Sequence, residues 1–439
     1  MKAGWILGRI PALLAVLPVV GFGASGDEHW DSAFGVPGAD GWVDAMVLRG
    51  GDLFVAGHFS QIGGISATNV AKWDGTNWSA LGGGLSSADF STVLALADAS
   101  GVLYAGGLFS EAGGAPGSNI ARWDGTNWSA LGLGVNGGVR ALAFVGEELF
   151  AGGNFHSAGG VGATNIAKWD GTKWSALGHG VTEWVPCDPP GSRCEFGTVR
   201  ALARSGNLLY VGGDFDRAGG LPIPVIAQWD GRNWSPLGSG MPGNSEGVHA
   251  LAVHGDGLFV GGNLRWVPGV LGPGVAKWDG TNWTAVPGPA FEGVRTIVAN
   301  GSEIFVGPGF EQLGPARGIA KWDGKSWSAL GSGVDGAAWD LACNGTELFV
   351  AGSFSYAGGK PANGLAIWHI PHELGIRQEG GSAVVSWPAT GTNFLLEAKG
   401  DVANADWTEV AQPFTLTNDE CVVTDSLSAS NRIYRLRRR

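Results

Sequence analysis

The sequence predicts an all-β protein: a seven-bladed β-propeller of four-stranded blades, closed by an N-terminal strand and followed by a small β-sandwich. One observation is composition, because 78 Gly, 21 Trp and only 15% charged residues in 439 indicate a packed, turn-rich β protein. The other is a repeat, since seven copies of one unit recur every 44 to 60 residues. A Trp ends the same strand in each copy: Trp73, Trp123, Trp169, Trp229, Trp278, Trp322 and Trp368.

Each copy contains four candidate strands. In the third copy these are residues 139–144, 149–153, 165–169 and 173–177. The last two are joined by Asp170 and Gly171, and Asp-Gly between two β-favouring segments is a strong hairpin signal. Four antiparallel strands repeated at this period are typical of propeller blades.

The two ends of the repeat region complement each other. A solenoid would need a capping repeat at each end, but the seventh copy stops after Trp368 without its fourth strand. Residues 29–35 resemble residues 77–82, which form a fourth strand in the first copy. We therefore expect the strand around Trp30 to complete the last blade and to remove both free edges. The predicted propeller spans residues 27–371.

The N-terminus predicts export. Lys2 and Arg9 flank an apolar run over residues 10–20, and small residues follow it, so residues 1–25 fit a secretory signal peptide. The run is short and interrupted by proline, although a retained membrane anchor is an alternative. We expect a secreted or cell-surface protein without a membrane span after cleavage.

Cysteine usage agrees with export. Cys187 and Cys194 lie seven residues apart in the longest insertion between repeats, and we predict a disulfide that closes this loop. Two thiols without a nearby His make an incomplete metal site, so neither a metal nor another cofactor is predicted. Cys343 and Cys421 are expected to be unpaired. The net charge of −12 makes nucleic acid an unsuitable partner.

One position of the first strand carries candidate ligand-binding residues. It lies nine residues before the Leu or Ile that opens the second strand, and across the copies it is occupied by Asp44, Leu94, Arg140, Arg200, His249, Arg295 and Trp339. Equivalent positions meet around the channel of a propeller, so a carboxylate or a sulfate is a suitable ligand for the arginines. Alternatively, the arginines pair with nearby carboxylates and only cap the channel.

A second set of equivalent residues ends the second strand. Its members are His58, Leu108, Asn154, Asp214, Asn263, Gly309 and Ser353. They are expected on the same face of the propeller, and Asp214 joins the candidate ligand-binding residues. Turn formation beside glycine is the competing explanation for their polarity.

The repeats resemble kelch-like propellers of the galactose-oxidase central-domain type. The resemblance covers residues 29–370 and rests on the Gly-Gly after the second strand, as at Gly106 and Gly107, and on the spaced pair Trp123 and Trp128. It implies the propeller architecture. The copper chemistry of galactose oxidase is not implied, because the Tyr–Cys crosslink and the paired His ligands have no counterparts here.

After residue 371 the repeat ends. Residues 374–439 contain short predicted strands with polar turns and resemble fibronectin-III-like C-terminal modules of secreted proteins.

Three hypotheses for the function follow. The first is a non-catalytic binding or scaffold protein whose loop face binds protein or carbohydrate. The second is a hydrolase or lyase acting on an anionic glycan, with the arginines holding a carboxylate. The third is a purely structural surface protein.

Overall fold

A computed structural model describes residues 26–31, 37–187, 192–241, 247–255, 257–264, 266–267, 270–271, 274–288, 293–308, 318–371, 374–379, 382–388, 394–399, 407–410, 413–417, 420–426 and 433–438. Their contacts divide into two compact units, which separate between Trp368 and His369. The expected signal peptide, residues 1–25, lies outside the described residues.

Within the described part of the first unit, seven antiparallel sheets follow one another along the chain. We name their strands A to D in chain order, and in each sheet they pair A-B-C-D. The first four sheets comprise Trp42–Arg49, Asp52–His58, Val70–Trp73 and Trp78–Ala80; Thr92–Ala99, Val102–Leu108, Ile120–Trp123 and Trp128–Ala130; Gly138–Val145, Glu148–Asn154, Ile166–Trp169 and Trp174–Ala176; and Thr198–Ser205, Leu208–Asp214, Ile226–Trp229 and Trp234–Ser235.

The next two sheets comprise Val248–His254, Gly257–Gly262, Val275–Trp278 and Trp283–Ala285; and Val294–Asn300, Glu303–Pro308, Ala320–Trp322 and Trp327–Ala329. The seventh has three strands of its own, Ala337–Cys343, Glu347–Ser353 and Leu365–His369. The predicted strands of the third copy are therefore confirmed to within one residue at each end.

Neighbouring sheets are held together by apolar cores. Strands A of successive sheets pack side by side, and strand A of the seventh sheet also packs against strand A of the first. The core between these two sheets contains Phe349 and Ile367 from the seventh and Val55 from the first. The interior residues of strand B are buried without interruption, as in Asp52–His58, because both faces of each sheet meet a neighbour. The arrangement fits a β-propeller.

Trp30 takes the place of a D-strand tryptophan in the seventh sheet. It forms an antiparallel bridge with Trp368, and the two indoles meet edge to face at 5.1 Å. Its Nε1 donates a hydrogen bond to the carbonyl oxygen of Leu330 at 2.9 Å. The equivalent Trp174 donates in the same way to Leu131 of the preceding sheet, at 2.8 Å.

The Asp-Gly turns between strands C and D have the predicted geometry. In the third sheet, Asp170 Oδ1 accepts hydrogen bonds from the backbone N–H groups of Thr172 and Lys173. Gly171 has a φ of 96°, which a residue with a Cβ rarely adopts. The flanking Trp169 and Trp174 are direct cross-strand partners, with ring centroids 5.4 Å apart.

Short hairpins connect strands B and C in several sheets: Gln61–Ile62 with Ile65–Ser66, Glu111–Ala112 with Ala115–Pro116, Ser157–Ala158 with Val161–Gly162, Trp266–Val267 with Val270–Leu271, and Tyr356–Ala357 with Lys360–Pro361. Leu85–Ser86 adds a third strand to the second of these hairpins. A 3-10 turn at Asp27–His29 precedes Trp30.

The long insertion contains a hairpin rather than an open loop. Val181–Cys187 pairs with Ser192–Phe196, and its base also pairs with Arg217–Ala218. In this ladder Cys187 lies opposite Ser192 and Cys194 lies opposite Val185. The two cysteines are thus offset by two positions rather than directly opposed, so the register does not favour the predicted disulfide.

The second unit contains two antiparallel sheets. One is made of Gly375–Glu379, Ser382–Pro388, Glu420–Ser426 and Thr415–Thr417, and the other of Thr408–Glu409, Phe394–Lys399 and Ile433–Arg438. Both sheets contribute to one core, in which Trp387, Cys421 and Tyr434 are at most 1% exposed. Tyr434 donates a hydrogen bond to Asp425 at 2.8 Å. The described residues of this unit therefore form two antiparallel sheets around one core.

Candidate functional site

The seven residues predicted to be equivalent all occupy the same irregularity in strand A. In each sheet the A–B ladder shifts register by one residue at this position, for example between Val139 and Ala141. A β-bulge leaves the extra residue unpaired and turns its side chain away from the sheet. The bulge residues are Asp44, Leu94, Arg140, Arg200, His249, Arg295 and Trp339.

These seven side chains line one cavity of about 150 Å³. A second cavity of about 230 Å³ shares these seven lining residues and is also lined by residues that follow them in the same strands, including Leu142 and Asp340. The predicted convergence of the bulge residues is therefore observed. We call the group of seven the bulge ring.

Arg200 has a carboxylate partner, which corrects the expectation of three equivalent arginines. Its Nε and Nη2 each lie 2.6 Å from Oδ2 of Asp214. His249 Nε2 lies 3.8 Å from the other oxygen of the same carboxylate. Burial, followed by the charge of Arg200, lowers the pKa of His249 to about 4, so this imidazole is neutral at pH 7.

Arg140 and Arg295 differ from Arg200, because neither has an ion pair with a carboxylate among the described residues. Arg140 Nε is buried and has no hydrogen-bond partner among the residues that the structure describes. The guanidinium of Arg295 lies over the ring of Trp339, 5.9 Å from its centroid. Burial and then the charge of Arg200 lower the pKa of both guanidinium groups, as expected for cations that converge in a confined space.

Asp44 faces these cations from the other side of the bulge ring. It accepts a hydrogen bond from Thr92 Oγ1 at 2.9 Å, and the side chain of Trp42 is a second donor. Burial nevertheless raises the pKa of Asp44 to about 6, and the charge of Arg295 only partly opposes this rise. The carboxyl group is thus close to its titration point in a mildly acidic solution.

Asp340 is a functional candidate that the sequence analysis missed. It follows the bulge of the seventh sheet, where the other sheets have Ala or Thr. Its carboxylate accepts hydrogen bonds from the backbone N–H of Met46 in the first sheet at 2.6 Å and from Leu341 at 2.8 Å. Burial raises the pKa of Asp340 to about 7. A comparison of aligned copies could have found it, since a carboxyl replaces alanine at a channel position.

An aromatic strip leads away from the bulge ring, and only two of its four members, Trp339 and His58, were singled out from the sequence. Trp42 meets Trp339 edge-on, with ring centroids 6.2 Å apart. His58 lies 4.7 Å from Trp42, and Phe90 stacks on His58 at 4.9 Å. These four residues belong to neighbouring parts of the seventh, first and second repeats.

The second predicted set contributes less to the site. Asp214 binds Arg200, and His58 belongs to the aromatic strip. Leu108, Asn154, Asn263 and Ser353 do not line the cavity formed by the bulge ring, and Gly309 lies outside the described residues. The turn explanation therefore suits most members of this set.

Other classes of site find little support in the described part of the chain. It contains no group of three His, Cys, Asp or Glu residues that could hold a metal ion. Cys343 and Cys421, the cysteines whose side chains are described, are unpaired, and burial raises the pKa of both thiols. None of the helices in the described ranges has the length and apolar character needed to cross a membrane.

Comparison with known proteins gives only distant similarities. No protein-family model matches the chain, and no curated protein matches it. Among solved structures, the computationally designed Ika8 protein is similar over 79% of this chain and 94% of its own, with 14% identity and a TM-score of 0.45. The extracellular domain of a putative one-component system from B. thetaiotaomicron has 10% identity over 87% of this chain and 48% of its own, with a TM-score of 0.47.

BamB from Moraxella catarrhalis is similar over 75% of this chain and 94% of its own, with 12% identity and a TM-score of 0.33. The class of protein rests on the sheets themselves: an all-β chain with many four-stranded antiparallel sheets, in an arrangement that fits a β-propeller.

Proposed function

We propose that the first unit is a closed seven-bladed propeller that binds an anionic group in the cavity of the bulge ring. The ligand is a carbohydrate or protein that carries a carboxylate or a sulfate. The packing of the seventh sheet against the first, and the bridge from Trp30 to Trp368, support closure. The protein itself is proposed to be secreted or held at the cell surface.

Arg140 carries this proposal. A buried donor without a partner costs about 1–3 kcal/mol, and more when it is charged. A ligand oxygen at Nε would remove that cost and would add a charge-assisted hydrogen bond. Three guanidinium groups face three carboxyl groups, those of Asp44, Asp214 and Asp340. Burial raises the pKa of Asp44 to about 6 and of Asp340 to about 7, so protonation of these two leaves a surplus of positive charge that favours an anion as the pH falls. Arg295, stacked on Trp339, supplies a second cation that no carboxylate neutralises by direct contact.

In the experiment, the purified protein is titrated with sulfate and with glucuronate, and the heat of binding is measured by calorimetry. Arg140→Met keeps the length and apolar stem of the side chain but removes the cation. We expect this variant to bind at least tenfold more weakly than the wild type, with a melting temperature that is not lower, because the unpaired donor has been removed. Absence of binding to both anions in the wild-type protein would contradict the proposal.

A second candidate function is a hydrolase or lyase acting on an anionic glycan. One observation favours it: Asp44, with a pKa of about 6, lies in the same cavity as the unpaired arginines. A carboxyl group that titrates near the working pH is suited to general acid–base catalysis. Incubation with polyuronates, followed by measurement of new reducing ends, tests this candidate. Asp44→Asn should abolish any activity found.

A further inference from the structure

We infer that the ligand is an acidic oligosaccharide, whose acidic group lies in the bulge ring and whose next sugar lies along the aromatic strip of Trp339, Trp42, His58 and Phe90. This inference rests on the proposed function, because the bulge ring holds the acidic end. The aromatic strip adds a second subsite and thereby specifies the chemical class of the ligand.

Continuity between the two features is the first argument. Trp339 belongs to both, since it lines the cavity of the bulge ring and meets Trp42 edge-on at 6.2 Å. His58 and Phe90 extend the strip outward from Trp42 by successive ring contacts of 4.7 and 4.9 Å. A ligand longer than one sugar would therefore leave the cavity along aromatic rings.

Exposure is the second argument. Phe90 is 50% exposed, whereas most large apolar side chains of the first unit are buried in the cores between sheets. An aromatic ring that ends a stacked series at the surface is suited to cover the apolar face of another ring. The imidazole of His58, on which Phe90 stacks, is itself held in position, because its Nδ1 donates to the carbonyl oxygen of Ser91 at 2.7 Å.

Polarity selects a sugar rather than a purely apolar ligand. Polar groups lie beside the aromatic rings: the carboxyl group of Asp44, which accepts from Thr92 and Trp42, and the imidazole of His58, which binds Ser91 through Nδ1. A sugar has an apolar face for the rings and hydroxyl groups for these polar groups. A nucleic acid carries many phosphates, and the net charge of −12 opposes such a ligand.

The experiment compares a hexuronate monosaccharide, a tetrasaccharide of the same uronate, and the carboxyl-reduced tetrasaccharide, each titrated by calorimetry into the full chain. We expect the tetrasaccharide to bind at least fivefold more tightly than the monosaccharide, and the reduced form to bind at least tenfold more weakly. Phe90→Ala should weaken tetrasaccharide binding about three- to tenfold and leave the monosaccharide unchanged.

Leu133→Ala is the matched control, because Leu133 is 77% exposed in the corresponding connection between the second and third sheets. It should leave both affinities unchanged. If the monosaccharide binds through Arg140 but the tetrasaccharide gains nothing and Phe90→Ala has no effect, this inference is wrong and the proposed function stands. If neither sugar nor sulfate binds the wild-type protein, both are wrong. Equal binding of the reduced tetrasaccharide would also overturn the inference.

Discussion

Arg200 and Asp214 form a two-pronged ion pair in which Nε and Nη2 both lie 2.6 Å from a single carboxylate oxygen. The other oxygen of Asp214 lies 3.8 Å from His249 and has no hydrogen-bond partner within the described ranges. Two donor nitrogens of Arg200 therefore bind a carboxylate of the same chain, whereas Nε of the equivalent Arg140 has no such partner among the described residues. Equivalent positions in a repeat have thus acquired different roles, which leads to the first prediction.

Arg140→Gln should weaken sulfate binding at least tenfold, whereas Arg200→Gln should weaken it no more than threefold. A charge-assisted hydrogen bond contributes about 1.5–3 kcal/mol, and of these two arginines it is Arg140 whose buried Nε is unpaired in the described part of the chain. Arg200→Gln should instead lower the melting temperature, because it leaves the partly buried Asp214 without its cation. Equal losses of affinity in the two variants, measured by calorimetry, would contradict the distinction.

Anion binding should strengthen as the pH falls from 8 to 5. Protonation of Asp44, whose pKa is about 6, and of Asp340, whose pKa is about 7, removes negative charge from the cavity. His249, with a pKa of about 4, gains its charge only below this range, and Asp214 stays beside Arg200 throughout. Asp44→Asn should bind more tightly at pH 8 and should show a flatter pH profile. A wild-type affinity that is constant between pH 5 and 8 would refute this account.

Asp340 should make the folded protein less stable as the pH rises. Its pKa is raised by burial from an ordinary value near 4 to about 7, so folding favours the protonated form. The stabilising contribution is fully present below pH 4 and is lost as the pH rises through 7, at about 1.4 kcal/mol per unit of pKa shift. Melting temperatures of Asp340→Asn between pH 4 and 8 should depend less on pH than those of the wild type.

Asp124→Asn is the control for this measurement. Asp124 is an exposed turn residue, and its hydrogen bonds from Asn127 and Thr126 lower its pKa, so its effect has the opposite sign. If Asp340→Asn and the wild type lose stability in parallel as the pH rises, Asp340 does not carry a raised pKa.

Trp30→Ala should destabilise the first unit by about 3–5 kcal/mol, the usual cost of truncating a large buried side chain. Trp30 is 1% exposed and donates to Leu330, as Trp174 does to Leu131. Trp174→Ala should therefore cost a similar amount in denaturant unfolding. If Trp30→Ala unfolds like the wild type, the N-terminal strand does not close the seventh sheet.

Cys187 and Cys194 are predicted to be bonded when the protein is exported to an oxidising compartment. The ladder offsets them by two positions, so the bond requires a local change in the hairpin register. Alkylation without a reductant, followed by intact-mass analysis, should leave this pair unmodified in the native protein and label it after reduction. Modification of the pair before reduction would show that both thiols are free and that the predicted disulfide is wrong.

The sequence by itself determined the repeat, its strands and the positions that meet at the channel. The Trp-Asp-Gly spacing and the aligned bulge residues are local features, because hairpin turns and strand alternation depend on neighbouring residues. The role of Trp30 could also be predicted, since residues 29–35 repeat the pattern of residues 77–82.

The tertiary structure alone decided which charges pair and which remain available. Arg140 and Arg200 occupy equivalent positions, and the residue fourteen positions later is Asn154 in one repeat and Asp214 in the other, but only the structure shows that Asp214 binds Arg200. Asp340 accepts a hydrogen bond from Met46, which lies 294 positions earlier in the sequence. The strip from Trp339 to Phe90 likewise joins side chains that are far apart in the sequence. Such contacts depend on the positions of whole sheets, so the pKa values and the shape of the site follow from packing rather than from local pattern.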